Sequence, residues 1–208
     1  MDTLAKLRQR AESLYLGYAG RRSPSQRGAD TPQAPSAGEL LRSDDGTQLL
    51  FRAIHPDDVA ALQRGFSGLT REEVRLRFLH PLTELPEALA HTLCDIDTQH
   101  AVAFVLIDPP GSAEPEIHAV VRAYIDPVTL GAEFALVVQH RFAGQGLGTL
   151  LMHRLIDACR ARGAVEMWGD VLAENGPMLD LCEHLGFARH SAYNDPGIVR
   201  VTLALWGV

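Results

Sequence analysis

Cysteine is scarce in this chain and placed where it cannot pair: Cys94, Cys159 and Cys182 are far apart in sequence and odd in number. That excludes a disulfide framework and a Cys-x-x-Cys redox or metal motif, and implies a reducing compartment, the cytoplasm. The nine histidines form no His-Glu-x-x-His pattern and no other tight ligand spacing, so neither structural nor catalytic zinc is expected. Positive charge is also in short supply, with 19 Lys and Arg against 26 Asp and Glu and a net charge of −7. Nucleic acid is therefore not an expected partner, because binding its backbone by counterion release needs clustered cations. Nowhere do about 18 uncharged apolar residues run together, and Asp2, Lys6, Arg8 and Arg10 interrupt the start of the chain. Neither a membrane span nor an export signal is expected.

What the chain does have is enough apolar material for one buried core, 46% of 208 residues. Residues 3–19 carry Leu4, Leu7, Ala11, Leu14, Tyr15 and Tyr18 at helical spacing between charged residues, the pattern of an amphipathic helix. Residues 20–38 consist mainly of Arg, Ser, Pro, Gln, Gly and Ala, too poor in large apolar residues to fold, and read as a flexible linker. The expected organisation is an N-terminal helix over 1–19, a linker over 20–38 and a globular domain over 39–208. The tethered helix either docks, on the domain or on a twin subunit as a homodimer contact, or serves as a partner-binding segment.

Within 39–208 the patterning predicts a strand over 49–54 and a helix opened by Pro56-Asp57-Asp58. A second helix over 70–79 is capped by Thr70 with Glu73 three residues on, and a third covers 85–93. Strands follow over 101–107, 117–125 and 133–138, then a helix over 147–162 closed by Gly163. A strand over 165–172, a helix over 177–185 closed by Gly186 and a strand over 198–205 complete the order. Such an order belongs to an α+β, mixed α/β fold rather than a doubly wound sheet.

The stretch richest in chemistry runs from Val137-Val138 through Gln139-His140-Arg141-Phe142 into Ala143-Gly144-Gln145-Gly146-Leu147-Gly148-Thr149. Glycines between a strand and a helix let several backbone N–H groups converge on one anion, at the end of the helix where the dipole is positive. A diphosphate can be held there without a lysine. The absence of Gly-Lys-[Ser/Thr] excludes a Walker loop, and the Gly-x-Gly-x-x-Gly count fails because it lands on Thr149 or Leu151. A tight turn without a ligand stays open on the glycines alone.

Downstream, Glu174-Asn175-Gly176-Pro177-Met178 leads to Leu181-Cys182-Glu183-His184-Leu185-Gly186-Phe187, one strand-helix-strand unit away. The pair of motifs resembles the GNAT superfamily of N-acetyltransferases over residues 47–205, with Ala143 standing where that family usually has Arg or Gln. The resemblance implies a mostly antiparallel sheet with splayed middle strands flanked by helices, and acetyl-CoA as cosubstrate with no metal. A narrower likeness rests on Arg52 to Ile54 with Pro56-Asp57-Asp58, on Arg75-Leu76-Arg77-Phe78-Leu79 with Pro81-Leu82, on Cys94-Asp95-Ile96-Asp97 and on Ala132-Glu133-Phe134-Ala135. These look like the catalytic domain of bacterial protein lysine acetyltransferases, which act on acyl-CoA synthetases. A small amine such as a polyamine, an amino acid or an aminoglycoside is the alternative acceptor, and a non-catalytic acyl-CoA sensor is a further alternative.

Carried over by position, the resemblance gives Glu133 the part of general base, with an edge-strand glutamate or ion-pair partner as the other reading. The cofactor-binding set is Leu136, Val137, Val138, Ala143, Gly144, Gln145, Gly146, Leu147, Gly148, Thr149, Asn175, Met178 and Cys182. The backbone of Leu136 to Val138 would pair with the pantetheine amides, and the Val138 N–H would polarise the thioester carbonyl. Asn175 would bond pantetheine or simply cap its helix. Cys182 stands where many relatives have a tyrosine, as a proton donor or as a small residue against the cofactor. His140 and Arg141 are candidates for the adenosine 3′-phosphate or for plain turn residues. Trp168 and Tyr193 are expected to pack near the groove, and Asp126, Asp170 and Glu174 to form an acidic rim.

Overall fold

Seven consecutive apolar residues, Ala101–Ile107, are all buried, so this strand must be covered on both faces. The computed structural model, which describes residues 38–78, 82–191 and 196–206, places it inside an eight-stranded sheet. The expected helix over 3–19, nearly all of the linker and Tyr193 lie outside the described residues. In chain order the elements are β1 (Glu39–Arg42), β2 (Gln48–Ala53), α1 (Val59–Ser67), α2 (Arg71–Phe78), α3 (Glu87–Cys94), β3 (Ala101–Ile107), β4 (Ile117–Ile125) and β5 (Gly131–Val138). Then come α4 (Leu147–Ala161), β6 (Glu166–Leu172), α5 (Gly176–His184), β7 (Ala188–Ser191) and β8 (Ile198–Ala204). The strand order is β1-β2-β3-β4-β5-β6-β8-β7, antiparallel everywhere except at the parallel contact of β5 with β6.

Alternation along the strands sorts the core into two layers. Val102, Phe104 and Leu106 face the layer that holds Leu147, Leu151, Leu155 and Cys159 of α4 and Leu179 and Cys182 of α5. Ala103, Val105 and Ile107 face the other layer, filled by Leu62 and Phe66 of α1, Val74 and Phe78 of α2 and Leu93 of α3. The i, i+4 spacing of the α4 residues is what turns one helical stripe onto the sheet.

Helix ends follow the local signals. At α2 the Glu73 N–H donates to Thr70 Oγ1 (3.1 Å) and the Thr70 N–H to Glu73 Oε2 (2.6 Å), a reciprocal cap. Helix α4 ends at Gly163, whose φ of 79° lets the Ala164 N–H reach back to the Cys159 carbonyl (3.1 Å). Ahead of α1, Asp58 is buried and satisfied by both guanidinium nitrogens of Arg52 (2.6 and 2.7 Å) and by the His55 N–H (2.7 Å).

Two strands were not expected from the sequence. Strand β1 is exposed at three of its four positions and β7 at all four. Edge strands without a buried face show no period-two pattern, so nothing in their composition announces them. Otherwise the expected elements form, with ends shifted by a residue or two; α3, for example, starts at Glu87 behind Pro86.

Gly65 fixes how closely α1 rests on the sheet, since a Cβ there would lie 2.0 Å from the Ile117 carbonyl oxygen. In a free helix alanine is better than glycine by roughly 1 kcal/mol. Overpacking against a fixed backbone costs about 1–3 kcal/mol and should win. Gly65→Ala is therefore expected to lower unfolding stability by about 1–2 kcal/mol in urea titration, where a helix-propensity effect alone would raise it.

Candidate active site

Strands β5 and β6 stay together for only three residue pairs, Gly131 with Glu166, Ala132 with Met167 and Glu133 with Trp168. The parting begins where the Phe134 ring leans on the bare backbone of Gly169, at which a Cβ would come within 2.8 Å of the ring. Beyond that point the strands enclose a cleft of about 540 Å³, walled by Phe134 to Val138 on one side and Gly169 to Val171 on the other.

The ladder bonds show what the open wall offers. The Gln139 N–H donates to the His118 carbonyl and the Asp126 N–H to the Gly131 carbonyl, each at 2.9 Å. In an antiparallel pair every second residue bonds across the ladder, so odd-numbered residues of β5 face β4. The even-numbered ones face β6, as the bond from the Val165 N–H to the Leu130 carbonyl (2.9 Å) also requires. The carbonyl of Phe134 and both the N–H and C=O groups of Leu136 and Val138 are therefore aimed at the cleft, where β6 has moved away. An extended polar chain laid in the cleft would find the edge of a sheet to pair with.

The end of the cleft is the glycine loop. Gly144 and Gly146 have φ of 77° and 74°, and a Cβ at either would meet nothing within 4 Å. Glycine is needed there for the backbone conformation, not for space. Among the described residues no backbone carbonyl or side chain accepts from the amides of residues 144–149. These N–H groups lie at the start of the fifteen-residue helix α4, at its positive end, an arrangement that suits an anion.

Of the residues expected to bind a cofactor, Leu136, Val137, Val138, Ala143, Gly144, Gly146, Gly148, Thr149, Asn175 and Met178 line this cleft. Gln145, Leu147 and Cys182 do not. Gln145 braces the loop, accepting from the Asp44 N–H and donating to the Arg141 carbonyl, both at 3.0 Å. Leu147 is buried in the core beneath the loop. Cys182 is fully buried, and desolvation pushes its thiol up to about 11, so its sequence position proves a poor guide; Leu181 and Met178 are the α5 residues that reach the cleft. Asn175 Oδ1 accepts from the Met178 N–H (3.2 Å), so the residue caps α5 while lining the cleft.

Glu133 is half-buried on the opposite face of β5 from Phe134. It lines a smaller pocket with Leu93, Ile96, Ala103, Arg122 and Tyr124, and this pocket shares Arg77, Phe134 and Ala135 with the cleft. Tyr124 stands directly across the ladder from Glu133 on one side, and Trp168 on the other. The carboxylate thus belongs to the pocket next to the cleft and does not line the cleft itself.

Helix α2 contributes Glu73, Leu76 and Arg77 to the cleft; in the sequence Glu73 reads only as a cap and Leu76 and Arg77 only as part of a family likeness, and none is expected as a site residue. Burial would raise the pKa of Glu73, but hydrogen bonds from Thr70 and from the His140 N–H outweigh it and hold the carboxylate below its usual range. Arg75 pairs with Glu174, so α2 is tied both to the turn after β5 and to the loop after β6. Of the three carboxylates expected to form an acidic rim, Asp170 lines the cleft and Asp126 and Glu174 do not. Glu174 is spent on Arg75, Asp170 accepts both Arg200 donors at 2.8 Å, and Asp126 Oδ1 caps the turn at Val128 and Thr129 (2.8 Å each). Arg200 also lies over the Trp168 ring, 4.3 Å from its centre. Among the described residues there is no cluster of three metal-ligating side chains and no helix long and apolar enough to cross a membrane.

The family model described as "Acetyltransferase (GNAT) family" matches residues 67–187. An acetyltransferase of Pseudomonas aeruginosa is 31% identical over 163 residues, covering 78% of this chain and 87% of that protein. The ribosomal protein bS18 alanine N-acetyltransferase of Salmonella typhimurium is 38% identical over 69 residues, 33% of this chain and 45% of that one. Among solved structures, the GNAT domain of S. lividans PAT superposes with a TM-score of 0.70 at 22% identity, over 80% of this chain and 96% of that one.

Burial also raises the thiols of Cys94 to about 11 and of Cys159 to about 12. Almost no thiolate exists at neutral pH at any of the three cysteines. Iodoacetamide applied to the native protein near neutral pH should leave all three unmodified by mass spectrometry until denaturant is added; prompt labelling of Cys182 would show that it is reachable from the cleft.

Proposed function

Because the chain belongs to the acetyltransferase (GNAT) family, and is an N-acetyltransferase, we propose that it carries acetyl from acetyl-CoA to the side chain of a protein lysine by direct attack, with Glu133 as general base. The observation that carries this reading is the juxtaposition of two open backbone arrays, the cleft edge of β5 and the loop amides of residues 144–149, with the half-buried carboxylate of Glu133 in the pocket that shares Arg77, Phe134 and Ala135 with the cleft.

The loop amides hold the diphosphate of the acyl carrier, and the backbone of Leu136 and Val138 pairs with its pantetheine arm. Met178, Leu181 and Pro177 supply the apolar wall of α5 against that arm. The Val138 N–H polarises the thioester carbonyl. A lysine ammonium is about 3.4 pH units from losing its proton at neutral pH, so freeing the lone pair costs about 4–5 kcal/mol. Glu133 removes that proton, directly or through one water, from an amine entering between Tyr124 and Trp168. The apolar sides of its pocket, Leu93, Ile96 and Ala103, suit the methylenes of an unbranched side chain.

The local likeness to an enzyme named for an alanine acceptor supports one other reading, in which a protein N-terminal α-amine is the acceptor. Purified protein and acetyl-CoA should be offered an acyl-CoA synthetase, a peptide beginning with alanine and a panel of small amines, with products read by mass spectrometry. The chain contains a single lysine, Lys6, so self-acetylation is readily told apart from substrate turnover. Acetyl-lysine on the protein substrate is the expected result, and turnover confined to the alanine peptide or the small amines would reject it. Glu133→Gln should lower kcat by roughly 100-fold or more; a kcat within about threefold of the parent would remove Glu133 from the role of base.

A further inference from the structure

At the root of the diphosphate loop lies a buried polar cluster that the proposed chemistry does not use. His118 on β4 is 3% exposed and Gln139, just after β5, is 2% exposed. Gln139 Nε2 donates to Glu116 Oε1 (2.6 Å) and to the Gly65 carbonyl (3.1 Å). Two acceptors on that nitrogen fix the orientation of the amide, so its Oε1 faces His118 Nδ1 at 3.1 Å. Arg141 Nη2 stands 2.6 Å from the same Nδ1, and Arg141 Nε donates to Gln139 Oε1 (3.1 Å).

The ring nitrogen Nδ1 is thus placed between a group that can only donate and a group that can only accept. A guanidinium has no lone pair to offer, so its bond to Nδ1 requires the proton of a neutral ring to sit on Nε2. Nε2 meets Asp108 Oδ1 at 2.8 Å, as that tautomer demands. If Nδ1 takes up a proton from solvent, it becomes a donor to Gln139 Oε1 and faces Arg141 as a second cation. The two arrangements exclude each other, and the difference between them is where Arg141 can stand.

Resting on the reading of this loop as the carrier's diphosphate site, we propose that His118 is a positioning residue: its neutral form holds Arg141, and through it the turn at residues 140–142, in the conformation that binds the acyl carrier. Arg141 sits immediately before Phe142, which lines the cleft, and its carbonyl accepts from Gln145 in the middle of the loop. Releasing its side chain therefore loosens the frame from which the amides of residues 144–149 are presented. The charged and titratable groups on the elements around the ring are Asp108 and Glu116 of the β3–β4 connection, His140 and Arg141 of the turn, Arg64 of α1 and Glu73 of α2. Asp108 Oδ1 lies 2.8 Å from Nε2 and Glu116 Oε1 3.7 Å from Nδ1.

The sign follows from the tautomer. The binding-competent form carries one proton fewer, so carrier affinity is full at high pH and is lost as the ring becomes charged on acidification. Calorimetric titration with coenzyme A from about pH 8 to about pH 5, the span in which imidazoles change charge, reads this directly. In His118→Asn the side-chain oxygen replaces the Nδ1 lone pair with an acceptor that does not titrate. The Kd of the parent protein should rise over that range by about fivefold or more beyond the rise seen for His118→Asn, which carries the carrier's own titration. Equal pH profiles, or tighter binding by the parent at low pH, would overturn the proposal while leaving the cleft assignment intact. No binding of coenzyme A at any pH would instead overturn the cleft assignment itself, and this inference with it. Should His118→Asn fail to fold, Arg141→Gln, at a half-exposed position, must show the same flattened profile; a parent-like pH dependence in that variant is equally fatal.

Discussion

Everything in this molecule that bears on chemistry depends on two neighbouring strands that stop pairing. Strands β5 and β6 share three residue pairs and then separate, while each keeps seven pairs on its other side, β5 with β4 and β6 with β8. The lost ladder is tolerable because both strands remain anchored by their outer partners and because water can reach the opened edge. What results is a slot whose wall carries hydrogen-bonding groups in a strand's own spacing. The nearest equivalent of the missing strand is an extended amide-bearing chain, and the arm of an acyl carrier is one.

The slot has structural means of staying open. On one face the Phe134 ring fills the place where a side chain at residue 169 would otherwise stand, and it packs against Phe187 at 5.3 Å between centres. On the other, α2 crosses between the two diverging loops, held through Glu73 to the turn after β5 and through Arg75 to Glu174. The second tie is exposed to solvent and contributes little. The first is the more consequential, because one carboxylate satisfies both the helix start and the His140 amide. The glycine loop and helix α2 are thereby made parts of one frame.

Much of this frame was legible beforehand. The Thr70 and Glu73 pairing, the closure of α4 at Gly163 and the strand-glycine-helix passage through Gly144 and Gly146 are local events with local signals, and the structure contains each of them. That the loop would open a helix at Gly146 was legible for the same reason, since a glycine loop followed by a helix has few geometries. What escaped was what depends on tertiary placement. Cys182 occupies the expected position in its motif yet turns into the core, because helical phase and not sequence rank decides which α5 residues face the cleft. The acidic rim was a charge count, and of its three carboxylates Asp170 alone lines the cleft, paired with Arg200. Strands β1 and β7 have no buried face to imprint a pattern. The approach of His118 to Arg141 joins residues 23 apart in sequence and could not be read from either one's neighbours.

The account's central claim is that main-chain amides at the start of α4 hold the carrier's diphosphate. Titrating coenzyme A into ¹⁵N-labelled protein and following the amide resonances tests it most directly. The largest shifts are predicted at residues 144–149, with smaller ones along Leu136 to Val138; binding that left the loop amides unmoved, or no binding at all, would contradict it.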